Sequence, residues 1–124
     1  MAKPGLTGLA RVIKATGYSL QGFRACWRHE AAFRQELLFC LAMTPAAFYI
    51  GADLAETALL LSLLGLVLLM ELLNSAVEAV VDRLGSELHE LSGRAKDMAS
   101  AAVFLSLLLL IVVWGLLLVK NWPL

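Results

Sequence analysis

Three long apolar stretches, about 31–52, 57–81 and 98–119, limit what this chain can fold into. As a helix rising about 1.5 Å per residue, each can cross about 30 Å of hydrocarbon. In a bilayer, helices and closed barrels alone satisfy their own backbone polar groups. The chain has 124 residues and is 60% hydrophobic, against about 45–50% for a soluble domain. The reading is therefore one all-α integral membrane domain, residues 1–124, with a surface helix over about 6–29 followed by three spans. Arg34 and Glu36 interrupt the start of the first span, and Pro45 lies inside it.

Basic residues near span ends stay in the cytoplasm. Lys3, Arg11, Lys14, Arg24, Arg28 and Arg34 precede or open the first span, and Arg83, Arg94 and Lys96 fall between the second and third. The segment 51–56 has none, and Lys120 alone follows the last span. The N-terminus and an 82–97 loop are expected in the cytoplasm, with the C-terminus outside. The first thirty residues lack the continuous apolar run of a cleavable signal. They read as a surface helix with Leu9, Val12, Ile13, Leu20, Phe23 and Trp27 towards lipid and breaks at Gly17 and Gly22; the alternative is a basic topology signal. Cys26 and Cys40 suggest no structural disulfide, and a nucleic-acid partner has no support.

Within the second span, Glu71, Asn74, Glu78 and Asp82 are spaced by 3, 4 and 4 residues, which puts them on one helical face. A carboxylate near the bilayer centre costs about 3 kcal/mol, so it needs a partner or a purpose. Counting from Thr57, Glu71 lies about 21 Å and Glu78 about 31 Å along the helix. The first helix runs the other way, with Glu30 at the boundary and Glu36 about 9 Å inside it. Glu30 and Glu78 at one level, open to the cytosol, suit Mg²⁺, which takes a few carboxylates and keeps water and phosphate as further ligands. Glu87, His89, Glu90, Arg94, Lys96 and Asp97 add a charged set suited to phosphate. Asn74 is placed to hold the Glu71 carboxyl by a hydrogen bond. Taken singly, Glu36, Asp82 and Glu90 also read as boundary charges, and His89 as a solvated loop residue. There is no phosphate-binding glycine-loop motif, but phosphoryl transfer needs little beyond positioning, a metal and cationic groups.

The block Glu71-Leu-Leu-Asn-Ser-Ala-Val-Glu-Ala-Val-Val-Asp82, continued by Arg83-Leu-Gly-Ser-Glu-Leu-His-Glu-Leu-Ser-Gly-Arg-Ala-Lys-Asp97, closely resembles the signature of the bacterial integral-membrane diacylglycerol kinase family. Glu30-Ala-Ala-Phe-Arg-Gln-Glu36 and Arg11-Val-Ile-Lys-Ala-Thr-Gly-Tyr-Ser19 extend the match, which covers about residues 9–120. The resemblance implies a homotrimer in the bacterial inner membrane with active sites shared between chains. It implies transfer of the ATP γ-phosphate to diacylglycerol with Mg²⁺, giving phosphatidate. The family's general base matches Glu71 and its metal ligands match Glu30 and Glu78. Its nucleotide contacts match Arg11, Tyr18, Glu87, His89, Lys96 and Asp97, and its active-site asparagine matches Asn74. Its lipid contacts match Ser19, Arg24, Trp27, Gln35, Glu36 and Ser100. Leu20-Gln21 and Cys26-Trp27-Arg28-His29 depart from the pattern and bear on acyl-chain and headgroup details.

Phosphorylation of undecaprenol, the work of a related branch, is the second reading. A small proton-coupled transporter is a rival from another class; it explains Glu71 but not Glu30 and Glu78 at one level, nor the charged 87–97 segment. A structural subunit without activity explains less. In the kinase reading Lys96 stabilises charge on the transferred phosphate, and Glu71 and Glu78 are expected to enter one composite site from different chains.

Overall fold

The computed structural model describes residues 7–85 and 89–122. They form α1 (Gly8–His29), α2 (Ala31–Ile50), α3 (Leu54–Arg83) and α4 (Glu90–Lys120), with no strand among the described residues. α3 packs most extensively against α4, then against α2, while α1 packs against both α2 and α3. Of the described helices, α3 and α4 are long and apolar enough to cross a membrane. α2 carries Arg34 and Glu36 and falls short of that apolarity.

α1 is continuous from Gly8 to His29, so the expected breaks at Gly17 and Gly22 do not occur. A glycine inside a helix costs about 1 kcal/mol relative to alanine, too little to interrupt a helix of this length. Its apolar residues, Leu9, Val12, Ile13, Leu20, Phe23 and Trp27, are exposed on the single chain, as a membrane-surface helix requires. One extended residue, Glu30, separates α1 from α2. Arg34 explains its place at the start of an apolar stretch here: its guanidinium donates to the carbonyls of Trp27 (2.8 Å) and Arg28 (3.3 Å). It thereby satisfies acceptors that the end of α1 leaves open.

The core lies between α2, α3 and α4, where Cys40, Ala47 and Ile50 meet Leu60, Leu63, Leu64 and Val67, with Leu110 and Trp114. The Trp114 indole donates to the Leu60 carbonyl at 3.3 Å, so even the polar tip of this aromatic is used. α2 turns into α3 through Gly51, where a Cβ would stand 2.8 Å from the Thr57 backbone nitrogen and collide with its hydroxyl. Only glycine lets the two helix ends approach this closely.

The expected 82–97 loop is much shorter. α3 runs to Arg83, Gly85 adopts the positive φ (118°) common just past a helix end, and α4 already begins at Glu90. The His89 side chain caps α4 by accepting from the Leu91 amide (3.0 Å), and Glu90 pairs with Arg94 one turn on. A cap and an i, i+4 pair favour helix where charge alone suggested loop. Glu90, Arg94, Lys96 and Asp97 are therefore helical.

Candidate active site

The carboxylate stripe on α3 is joined by one side chain. The Asn74 amide nitrogen donates to Glu71 Oε2 at 3.2 Å and to Glu78 Oε1 at 3.0 Å. The sequence reading expected the first bond; the second follows from the same helical geometry, since 71, 74 and 78 lie three and four residues apart. Both amide hydrogens are used, and the flipped amide would aim its oxygen at two carboxylates, so the pair fixes the orientation of Asn74. Its Oδ1 is buried without a partner. Glu71 is 5% exposed. These bonds place the Glu71 and Glu78 carboxylates side by side on α3 within one chain.

Further carboxylates surround this pair. Glu36 on α2 has a buried oxygen without a hydrogen-bond partner. Among the described residues, no Lys, Arg or His stands within ion-pair distance of Glu30, Glu36, Glu71 or Glu78. Cys26, buried on α1, lies among them. Burial pushes its thiol pKa up, the bond to Ser75 opposes that, and the carboxylates of Glu30, Glu71 and Glu36 add to the rise. Carboxylates gathered at low solvent access require a proton, a metal ion or a cationic ligand among them.

A groove of about 520 Å³ opens between α1 and α3 beside this group. Gly22, Phe23 and Cys26 form one wall; Leu72, Ser75 and Ala76 form the other, and Ser19 and Glu30 also line it. The small residues on each helix leave this space, and the lining is mainly apolar with few polar points, as suits a lipid alcohol. Arg24 lines a smaller hollow of about 220 Å³ with Gln21 and Arg28.

Other residues expected at the site are dispersed. Lys96 donates to Asp82 at 3.0 Å, joining the end of α3 to the first turns of α4, and His89 serves as the α4 cap. Gln35, Asp97 and Ser100 are exposed, Trp27 is exposed on α1, and Tyr18 is half-buried. Arg11 is exposed 19 positions before Glu30, about 28 Å along the α1 direction. Glu87 lies outside the described residues. Sequence reasoning missed Cys26 and Ser75, which meet across the groove at 3.6 Å. The usable signal was Ser75's position one turn after Glu71.

The family model described as prokaryotic diacylglycerol kinase matches residues 17–118. The diacylglycerol kinase of Escherichia coli strain K12 is 53% identical over 116 residues, 94% of this chain and 95% of that protein. The diacylglycerol kinase of Pseudomonas aeruginosa is 50% identical over 114 residues, covering 92% and 93%. That of Helicobacter pylori strain 26695 is 39% identical over 112 residues, covering 90% and 88%.

Proposed function

The chain belongs to the prokaryotic diacylglycerol kinase family, and on that premise we propose how its residues carry out the reaction. It is a lipid kinase that transfers the γ-phosphate of ATP to the hydroxyl of diacylglycerol, yielding phosphatidate and ADP. The observation that carries the mechanism is the Asn74 amide shared by the buried Glu71 and by Glu78.

Glu71 acts as general base. The lipid hydroxyl oxygen attacks the γ-phosphorus, the bond to the bridging β-γ oxygen breaks, and the hydroxyl proton passes to the Glu71 carboxylate. Asn74 holds that carboxylate in place. The groove between α1 and α3 receives the glycerol end of the lipid and part of its chains, with Ser19, Arg24, Trp27, Gln35, Glu36 and Ser100 as further lipid contacts.

Glu30 and Glu78 hold the nucleotide's Mg²⁺. The donor set fits this ion, since hard carboxylate oxygens are on hand and the described residues hold no closed cage of three or more ligands; Mg²⁺ commonly uses one or two carboxylates and fills its shell with phosphate and water. When bound, the ion supplies charge neutralisation at the phosphates. Arg11, Tyr18, Glu87, His89, Lys96 and Asp97 complete the nucleotide site. Lys96 leaves Asp82 to meet phosphate. Because Arg11 stands so far along α1 from Glu30, a neighbouring chain of a homotrimer brings it to the site, while Glu71 and Glu78 come from one chain.

α2, α3 and α4 span the cytoplasmic membrane of a bacterium, α1 lies on its inner surface, and the C-terminus is outside. The test is incubation of purified protein in bilayers with γ-labelled MgATP and either diacylglycerol or undecaprenol. Label is expected in phosphatidate. Label in undecaprenyl phosphate alone would overturn the substrate, and label in neither lipid would overturn the kinase reading.

A further inference from the structure

Ser75 differs from the other helical serines whose bonds are described. The hydroxyls of Ser19, Ser62 and Ser106 donate back to the carbonyls of Ala15, Ala58 and Val103 at 3.0, 2.7 and 2.7 Å. Ser75 is 8% exposed and makes no such bond; its one neighbour for hydrogen bonding among the described residues is Cys26 Sγ, 3.6 Å across the groove. Sulfur is a weak donor and a weak acceptor. Whichever atom carries the shared hydrogen, the capacity of this hydroxyl as a donor is almost unspent. A buried donor without a proper acceptor is costly, and native structures rarely keep one.

The groove sets what can supply the acceptor. Most of its lining is apolar or small, as with Gly22, Phe23, Leu72 and Ala76; Ser19, His29 and Glu30 are its other polar members, and none of them is hydrogen-bonded to Ser75. Ser75 follows Glu71 by four residues, so both lie on one side of α3, one turn or about 6 Å apart. With the acceptor hydroxyl of a diacylglycerol at Glu71, the ester linkages on the adjacent glycerol carbons come next along the lipid. A carbonyl there accepts a hydrogen bond well, whereas an ether oxygen or a polyprenol chain offers a poor acceptor or none.

Resting on the kinase reading above, we infer that Ser75 determines specificity by donating from Oγ to an ester carbonyl of the lipid, selecting glycerol diesters over lipid alcohols without carbonyls. Cys26 supports it by holding the hydroxyl over the groove.

The test compares kcat/KM for a 1,2-diacylglycerol and for the 1,2-dialkylglycerol of the same chain length, within single preparations of the parent protein, Ser75→Ala and Ser75→Thr. A ratio taken in one preparation does not depend on the fraction folded. The parent should prefer the diester by about three- to tenfold, the effect of one neutral hydrogen bond. Ser75→Ala should bring the ratio close to one, and Ser75→Thr, which keeps the hydroxyl, should retain the preference. An unchanged ratio in Ser75→Ala, or no preference in the parent, would overturn the inference and leave the kinase reading standing. Loss of preference in Ser75→Thr as well would trace the effect to shape and overturn it too. Phosphorylation of neither lipid by the parent would remove the kinase reading itself.

Discussion

The two ends of α3 treat a carboxylate in opposite ways. At its start, Asp53 caps the helix by accepting from the Glu56 amide at 2.8 Å. Glu56 accepts from the Ala52 amide (3.0 Å), from Asn121 (2.9 Å) and from Lys120, while Asn121 also donates to the Ile50 carbonyl at 2.7 Å. The ends of α2, α3 and α4 are thus clasped by one acidic side chain whose oxygens are both satisfied. Three turns before the other end, Glu71 shares a single amide with Glu78, and Glu36 has an oxygen without a partner. A paired carboxylate contributes stability. Carboxylates gathered without a cation do not, and they suit a site that binds metal and moves a proton.

The largest expected effect lies at the uncompensated end. Glu71→Gln should lower turnover by about a hundred- to ten-thousandfold, the usual contribution of a general base, with MgATP binding retained. Near-parental turnover would break the assignment. Mixing Glu71→Gln chains with Glu78→Gln chains, under subunit exchange confirmed by cross-linking, should recover no activity because Asn74 joins both residues in one chain. Recovery would show that they work from different subunits.

Next in size is Asn74→Ala, which removes hydrogen bonds to two carboxylates and should cost about ten- to a hundredfold in kcat/KM. A loss confined to thermal stability would move Asn74 to the structural side of the comparison. At the clasp the order reverses. Asn121→Ala should lower stability by about 1 kcal/mol through its lost hydrogen bonds, with turnover per folded molecule unchanged; reduced turnover would tie the clasp to catalysis.

The smallest effect concerns pH. The hydrogen bond from Lys120, then those from Asn121 and the Ala52 amide, lower the Glu56 pKa from 4.5 to about 2. Its folded pKa lies below its unfolded value, so its stabilisation is complete above about pH 4.5 and is lost as pH falls to about 2. The melting difference between the parent and Glu56→Gln should shrink across that window. A difference independent of pH there would separate the clasp from the ionisation of Glu56.

Much of this was legible in the chain. The helix-period stripe Glu71, Asn74, Glu78 survives in the structure because i, i+3 and i+4 neighbours meet on any helix, whatever packs around it. Arg34 and Glu36 visibly interrupt the first apolar stretch in the sequence. Arg34 proves to cap α1, a role that depends on the bend at Glu30 and could not be read from spacing. The charged 82–97 segment misled because a solvated helix and a loop share a composition; the His89 cap and the Glu90–Arg94 pair distinguish them only once the backbone direction is known.

Sequence alone determined the all-helical membrane character and the family, since both rest on long apolar runs and on a contiguous block from Glu71 to Asp97. Tertiary structure decided which side chains meet across helices: Cys26 with Ser75, Lys96 with Asp82, Asn121 with Ile50 and Glu56. Those partners are 49, 14, 71 and 65 residues apart. Local periodicity orients a residue on its own helix, but only the packing of one helix against another determines what it faces.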